Sequence, residues 1–444
     1  MNRTPNMLKG SMFKTMLQLM WPILICGFFQ QLYNMADSMV VGQFVGSDGL
    51  AIVGGSCNIL IGAFNGIVNN FAMGAMLVVA FFYGAEDRDK TETSIKMSLV
   101  LAAIIGLLAT IFFWVFASNI LEIMEVPTNL FQGSVAYLRL YTLGFVPGFI
   151  FQMIVNLLRA MGETKRPSMY LIMSFILNII LDILFVGVFK MQQAGVAYAY
   201  ILSMSISAIF TLYSISLQFD FHFQKLHLER NIVGQILKVG IPSAFTSLLY
   251  AFSNMFIQTS INKLGSETIA ALSIESKIEN IFWIAMTGLA VSITALAGQN
   301  YGAKNNKRVR ATAGVGILVG YGMTAIIAIA YIFFGKTLSS LFSNDPQVIE
   351  MAFKMLLFMV PAYFFYPLLE VFADTLKCLG QAFGTTILTV ITIVVVRVAW
   401  ITFYALPNLS YEAILWCYPI SWIISSLAFT IYYLIIRKRK LQVA

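Results

Sequence analysis

Of the 444 residues, 59% are hydrophobic and only 11% are charged, with a mean hydropathy of +0.82. Soluble globular domains carry about 25% charged residues, so this composition excludes one and describes a polytopic membrane protein. The net charge of +8 is spread through short loops, with no soluble domain to gather it, which excludes nucleic acid as a partner.

The apolar runs continue for about 20 residues, the length that crosses hydrocarbon as a helix. They do not alternate as the strands of a membrane barrel would. The fold class expected is therefore all-α. Residues 1–15 form a short basic arm with Arg3, Lys9 and Lys14, without a signal-peptide cleavage pattern. Twelve spans follow, near 16–42, 51–81, 97–117, 133–158, 168–187, 195–217, 238–262, 269–297, 311–335, 350–376, 385–404 and 413–436. Pro22, Pro147, Pro242, Pro361, Pro367 and Pro419 fall inside spans. Lipid-embedded helices tolerate such prolines as kinks because neighbouring groups satisfy the freed carbonyls.

Basic residues set the orientation. With the N-terminus inside, the inner loops hold Arg88, Lys90, Arg159, Lys165, Arg166, Lys225, Arg230, Lys304, Lys307, Arg308 and Arg310, and the tail holds Arg437-Lys-Arg-Lys440. The outer loops hold only Lys190, Lys263 and Lys336. Both termini are expected in the cytoplasm, and the chain in the cell (inner) membrane.

The chain also repeats itself at an offset of about 218 residues. Trp21-Pro22 recurs as Ile241-Pro242, Val45-Gly-Ser47 as Leu264-Gly-Ser266, and Tyr83-Gly-Ala85 as Tyr301-Gly-Ala303. Val126-Pro127 recurs as Asp345-Pro346, and Leu158-Arg-Ala-Met-Gly162 as Leu376-Lys-Cys-Leu-Gly380. Six spans per repeat place both halves in the same orientation, as in parallel-repeat transporters that bind substrate near the midplane and work by alternating access. The expected division is an arm 1–15, an N-terminal six-helix lobe 16–217, a linker 218–237, a C-terminal lobe 238–436 and a basic tail 437–444.

Within these spans a few polar residues stand out. Asp182 lies in the fifth span, with Asn178 one turn earlier on the same face. A charge there costs at least about 2.5 kcal/mol on insertion scales and tends to mark an ion or proton pathway. Asn34 and Asp37 form a second pair in span 1. At 1.5 Å per residue Asp37 and Asp182 lie at similar depth in the outer half. Two carboxylates that close do not both ionise easily in low dielectric, so a proton or a sodium ion would compete to neutralise them. The asparagine oxygens suit a hard cation.

The second half carries Glu275 and Glu279 on one face of span 8, with Lys277 on another, and Arg397 within a residue of the repeat equivalent of Asn178. An ion pair between Arg397 and one of these glutamates is expected. Glu370 and Asp374, near the inner end of span 10, read as solvated at a cavity mouth. Gln30 and Tyr33 flank the cavity side of span 1. The four cysteines (Cys26, Cys57, Cys378 and Cys417) are scattered, and His222 and His227 share one polar loop. No nucleophile–base pair or metal-ligand pattern falls in the spans, so neither an enzyme nor a cofactor is expected, and no metal beyond a sodium ion at Asp37, Asn178 and Asp182.

Several stretches together resemble the multidrug and toxic compound extrusion (MATE) family. They are Asn156-Leu-Leu-Arg-Ala-Met-Gly-Glu-Thr-Lys-Arg-Pro167, Asn178-Ile-Ile-Leu-Asp-Ile-Leu-Phe185 with Gly195-Val-Ala197, Lys277-Ile-Glu279, and Gly298-Gln-Asn-Tyr-Gly-Ala303. The resemblance covers essentially the whole chain. It implies secondary active efflux of amphipathic, often cationic, small molecules in exchange for sodium ions or protons. It also implies a cation site in the N-terminal lobe at Asp37, Asn178 and Asp182, with Tyr200 where many members have threonine, and a kink at Pro22. The glutamate that some members use in span 7 is missing here. The alternative is a lipid-linked oligosaccharide flippase of the same wider superfamily, which the few intramembrane basic residues (Lys277, Arg397, Arg139, Lys354) disfavour. The expected partners are the substrates and the lipid bilayer, with a monomer as the working unit.

Overall fold

The computed structural model describes residues 6–217, 219 and 229–442; the side chains of residues 34–38, 47 and 50 are not described. The expectations for the side chains of Asn34 and Asp37, and those for Arg3, His222, Lys225 and His227, therefore lie outside the described residues. Within hydrocarbon each backbone N–H and C=O must be satisfied by the segment itself, which only a helix achieves in a single apolar run. The described residues accordingly form helices and no strand.

Among the described residues ten helices are long and apolar enough to cross a membrane, and counting each of two bent helix pairs as one span brings the number to 12. In order they are Met12–Tyr33, Ala51–Gly84, Arg88–Ile123, the pair Thr128–Thr142 and Phe145–Ala160, Lys165–Val188 and Gln192–Ser216. The second set is Arg230–Leu264, Ser266–Gly302, Asn306–Ser340, the pair Pro346–Tyr363 and Tyr366–Cys378, Ala382–Ala405 and Tyr411–Lys440. These are spans 1–12 below. The helix of span 1 continues unbroken to Phe44.

The repeat is written into the backbone. Spans 4 and 10 are broken at the same place and by nearly the same angle, 48° and 49°. Pro147 and Pro367 stand just inside the second helix of each pair, where a missing N–H is harmless. The turn between spans 2 and 3 places Glu86 at φ 58° and caps span 3 with Asp87, whose Oδ1 accepts from the Lys90 N–H at 3.0 Å. Its copy places Lys304 at φ 56° and caps span 9 with Asn305, which accepts from the Arg308 N–H at 3.2 Å. Gly162 and Gly380 share the left-handed region after spans 4 and 10.

The chain divides into two compact units. Unit 1 is Trp21–Gly240; unit 2 is Ile241–Ala444 together with Pro5–Met20. This departs from the expected division at three points. The arm is not separate: Met7 is 2% exposed and the helix begins at Met12, so the described arm packs with unit 2. Span 7 starts at Arg230, inside the expected linker. The basic residues Arg437–Lys440 are the last helical turn of span 12 and not a free tail. Unit 1 is built around Val41, Ile52, Leu121, Leu138 and Val186, and Phe64 stacks on Phe145 at 3.9 Å between ring centres. In unit 2, Ile257, Ile261, Ile401 and Ile414 form a matching cluster.

One close approach in unit 1 requires glycine. A Cβ on Gly74 in span 2 would lie 2.7 Å from the Cα of Gly240, against backbone that has no side chain to move. Gly62, one helical stretch earlier, faces open space. Gly74→Val is expected to destabilise the protein by about 1–3 kcal/mol, the usual range for overpacking, and Gly62→Val to leave it unchanged. Thermal unfolding of both variants in detergent tests this; equal midpoints would refute the contact.

Candidate cation site and its counterpart in the second repeat

Span 5 is α-helical from Lys165 to Asp182 and then widens into a π-helical turn over Ile183–Val188. Such turns are rare and often sit at functional sites, because they loosen the helical hydrogen-bond ladder and re-aim the residues beside them. Asp182 lies at that junction and is 1% exposed; Asn178, one turn earlier, is 2% exposed. The Asn178 Nδ2 donates to Ser203 Oγ at 3.2 Å, and Ser203 Oγ donates to the carbonyl of Tyr200 at 3.0 Å. The amide is thus turned so that its nitrogen faces span 6, which leaves its Oδ1 for the other side.

Span 1 runs beside this part of span 5. Tyr33 stacks on Phe175 with ring centres 5.2 Å apart and planes within 10°. Phe175 is three residues before Asn178, and Tyr33 is four before Asp37. The two helices carrying the predicted carboxylates therefore meet at this level. Tyr33 is half-buried and Gln30 is exposed.

Tyr200 occupies its position differently from a ligand. Its ring stacks on Tyr141 at 4.0 Å, and a Cβ on Gly144 or Gly148 would meet the ring at 2.6 Å or the hydroxyl at 2.9 Å. The phenol fills the bend of span 4, and those two glycines make room for it. What joins Tyr200 to the polar chain is its backbone carbonyl, through Ser203.

Unit 2 repeats this construction with one exchange. Tyr418-Pro-Ile-Ser421 stands about 218 residues after Tyr200-Ile-Leu-Ser203. Ser421 Oγ donates to the Tyr418 carbonyl at 2.9 Å and accepts from Arg397 Nε at 3.0 Å. Arg397 therefore takes the place of Asn178. It does so one residue late because a π-helical turn, Val390–Val395, precedes it and shifts the helical register. A second π-helical turn, Ile401–Ala405, mirrors the one after Asp182. The residues at the Asp182 equivalent, Trp400 and Ile401, are apolar.

The expected ion pair of Arg397 with a glutamate is not formed. Arg397 is 3% exposed, bound to Ser421 and seated 4.4 Å from the centre of the Tyr418 ring. Glu279 attracts it from beyond ion-pair distance. A guanidinium buried against an aromatic face is stabilised there without a carboxylate in contact. Glu275, 3% exposed, and the half-buried Glu279 face the Tyr363 hydroxyl instead. Around them Phe282, Trp283, Tyr366 and Trp422 close an aromatic layer, with Phe282 and Tyr363 4.4 Å apart and Trp283 and Tyr366 4.9 Å apart. Asp374 is also not solvated as expected. It is 1% exposed and its Oδ1 accepts from Lys377 Nζ at 2.9 Å, while Glu370 is half-buried. An i, i+3 partner on its own helix let the carboxylate be buried.

Ser203, Ser421 and Tyr418 are site residues that pattern reading passed over. Serine is common between membrane helices, so neither residue stands out alone. Their signal was the recurrence of Tyr-x-x-Ser at the repeat offset. No group of three or more metal-ligating side chains occurs among the described residues.

Two six-span repeats, each with a polar pair sealed between its fifth and sixth spans, give the two-lobe, twelve-helix architecture of a membrane transporter. The chain belongs to the MATE family: the MatE family profile matches residues 22–184 and 242–401, one match per repeat. It is 22% identical over 446 residues to the "Probable multidrug resistance protein YoeA" of Bacillus subtilis (strain 168), covering 97% of this chain and 96% of that one. It is 21% identical over 387 residues to the "Multidrug export protein MepA" of Staphylococcus aureus (strain COL), covering 86% and 85%. Among solved structures, one described as an outward-facing conformation of a multidrug resistance MATE family transporter superposes with a TM-score of 0.88 at 20% identity, covering 99% of each chain. A MOP superfamily transporter from Pyrococcus furiosus superposes at 0.90 with 21% identity, covering 100% of each chain.

The Arg397 seat is testable. Arg397→Lys keeps the charge but not the planar stack and the Nε–H, and is expected to destabilise the protein by about 2 kcal/mol, the scale of a desolvated cation–π contact. Ser421→Ala is expected to cost about 1 kcal/mol, as for one hydrogen bond. Denaturation of purified variants measures both, and an Arg397→Lys protein as stable as the parent would refute the seat.

Proposed function

We propose that this protein is a secondary active antiporter that exports amphipathic, cationic small molecules in exchange for sodium ions or protons. The observation that carries the reading is Asp182: a carboxylate 1% exposed within a membrane span, beside a π-helical turn and an oriented asparagine amide. A carboxylate at such a position is costly to bury and tends to mark an ion or proton pathway. The group is therefore suited to take up and release a cation as its access changes.

In this reading Asp37, Asn34, Asn178 and Asp182 hold the coupling cation in unit 1, with Ser203 and the Tyr200 carbonyl orienting Asn178. Gln30, Tyr33, Glu275, Glu279 and Arg397 serve the substrate path. A cation that neutralises the carboxylates and a drug that leaves must favour different conformations for the two to be coupled. The relatives' names as multidrug resistance and export proteins agree with this direction of transport. The chain acts as a monomer in the cell membrane with both ends cytoplasmic, a placement that gathers nearly all loop arginines and lysines inside.

Asp37→Asn and Asp182→Asn are each expected to reduce gradient-driven efflux of a cationic dye at least about fivefold, the low end of typical coupling. Folded yield should be retained, because asparagine has the shape of a protonated aspartate. The double variant should be no worse than either single one, since the two groups act together. Dye efflux from proteoliposomes under imposed sodium or pH gradients is the measurement. Parental efflux in either single variant at equal expression would remove the site from the mechanism. For the topology, a reporter fused after Arg437 should be active only on the cytoplasmic side.

A further inference from the structure

Three backbone carbonyls converge on one guanidinium in unit 2. Arg308 Nη1 donates to the Gly10 carbonyl at 3.0 Å, and Nη2 to those of Met7 at 3.1 Å and Lys9 at 3.4 Å. Its Nε donates to Asn300 Oδ1 at 3.1 Å. Asn300, fully buried, donates in turn to the Met7 carbonyl at 3.1 Å and to Leu296 at 2.8 Å. Only a rigid, forked donor addresses four acceptors at once. The turn it grips leads directly into the helix of span 1 at Met12.

That helix is unbroken to Phe44, yet it belongs to unit 2 up to Met20 and to unit 1 from Trp21 on. Pro22 stands at the changeover and has no N–H to offer the carbonyl of Gln18. The helix is therefore weakest where it passes from one unit to the other, and its inner end is tied on one side of that point. Among the described residues Lys90, the repeat equivalent of Arg308, pairs with the helix cap Asp87 at 2.9 Å.

We propose that Arg308 is the positioning residue of span 1. It fixes the inner end of the helix to unit 2, so that any change between the units is taken up at Pro22 and moves the Asp37-bearing part with unit 1. The transport readout rests on the antiport reading above; the anchoring readout does not.

The full-length protein is reconstituted with a spin label on Lys9→Cys, the four native cysteines being buried. Arg308→Ala should mobilise the label. Arg310→Ala, which removes a bond to the Leu441 carbonyl at the other end of the chain, and Lys90→Ala should not. In proteoliposomes Arg308→Ala should lower driven efflux about tenfold, within the usual range of coupling, with drug affinity unchanged. A bifunctional thiol reagent joining Lys9→Cys to Lys307→Cys in the Arg308→Ala background should restore efflux. An immobile label in Arg308→Ala overturns the anchor whatever the efflux. A mobile label with parental efflux, or a tether that immobilises the arm without restoring efflux, overturns the positioning role. Absent gradient-driven efflux in the parent protein points instead to failure of the antiport reading.

Discussion

A polar side chain sealed between helices in hydrocarbon has no water to turn to, so its partner has to be built into the protein. In each half of this chain the partner is a serine one helix away, itself tied to the tyrosine carbonyl one turn below it. That local bond keeps the hydroxyl in one orientation. The fifth span of each repeat then receives a fixed acceptor, and the group it presents there, amide or guanidinium, is fixed with it. The remaining features of both sites follow from this constraint.

The exchange of Asn178 for Arg397 gives the two halves different chemistry on the same frame. An amide is neutral and both donates and accepts hydrogen bonds. A guanidinium is a permanent cation, and the aromatic face of Tyr418 supports it where unit 1 has the Tyr141–Tyr200 stack. Unit 2 carries its positive charge in the chain, and the residues at the Asp182 equivalent are apolar.

The helices around these polar residues are irregular. Spans 4 and 10 are each broken just before a proline-bearing second helix, and spans 5 and 11 contain widened turns. Each irregularity gives up part of the hydrogen-bond ladder, which lipid would penalise and protein neighbours tolerate. Tyr200 filling the bend of span 4 is one such neighbour. Span 1 carries its own weak point at Pro22, between an inner end held by Arg308 and an outer part that packs on span 5 through Tyr33 and Phe175.

The twelve spans and the parallel repeat were legible in the sequence because they rest on local causes, apolar length and turn residues recurring at one offset; proline alone did not place the breaks, since spans 4 and 10 break while Pro22 and Pro242 stand inside continuous helices. Asp182 and Asn178 were legible for a related reason, since a carboxylate in an apolar run is costly wherever the helix packs. What the sequence did not determine was which partners the polar residues take. The Arg397–glutamate pair was inferred from charge, yet the fold seats Arg397 on Ser421 and Tyr418. Asp374 was read as solvated from its place near a helix end, yet Lys377 one turn on allows it to be buried. Composition marks residues 1–15 as a separate basic arm, yet three carbonyls of that stretch meet Arg308, a residue about 300 positions away. Partner choice depends on distances between helices and on one-residue shifts at π-helical turns. Those are set only when the helices pack, so the tertiary structure decided them.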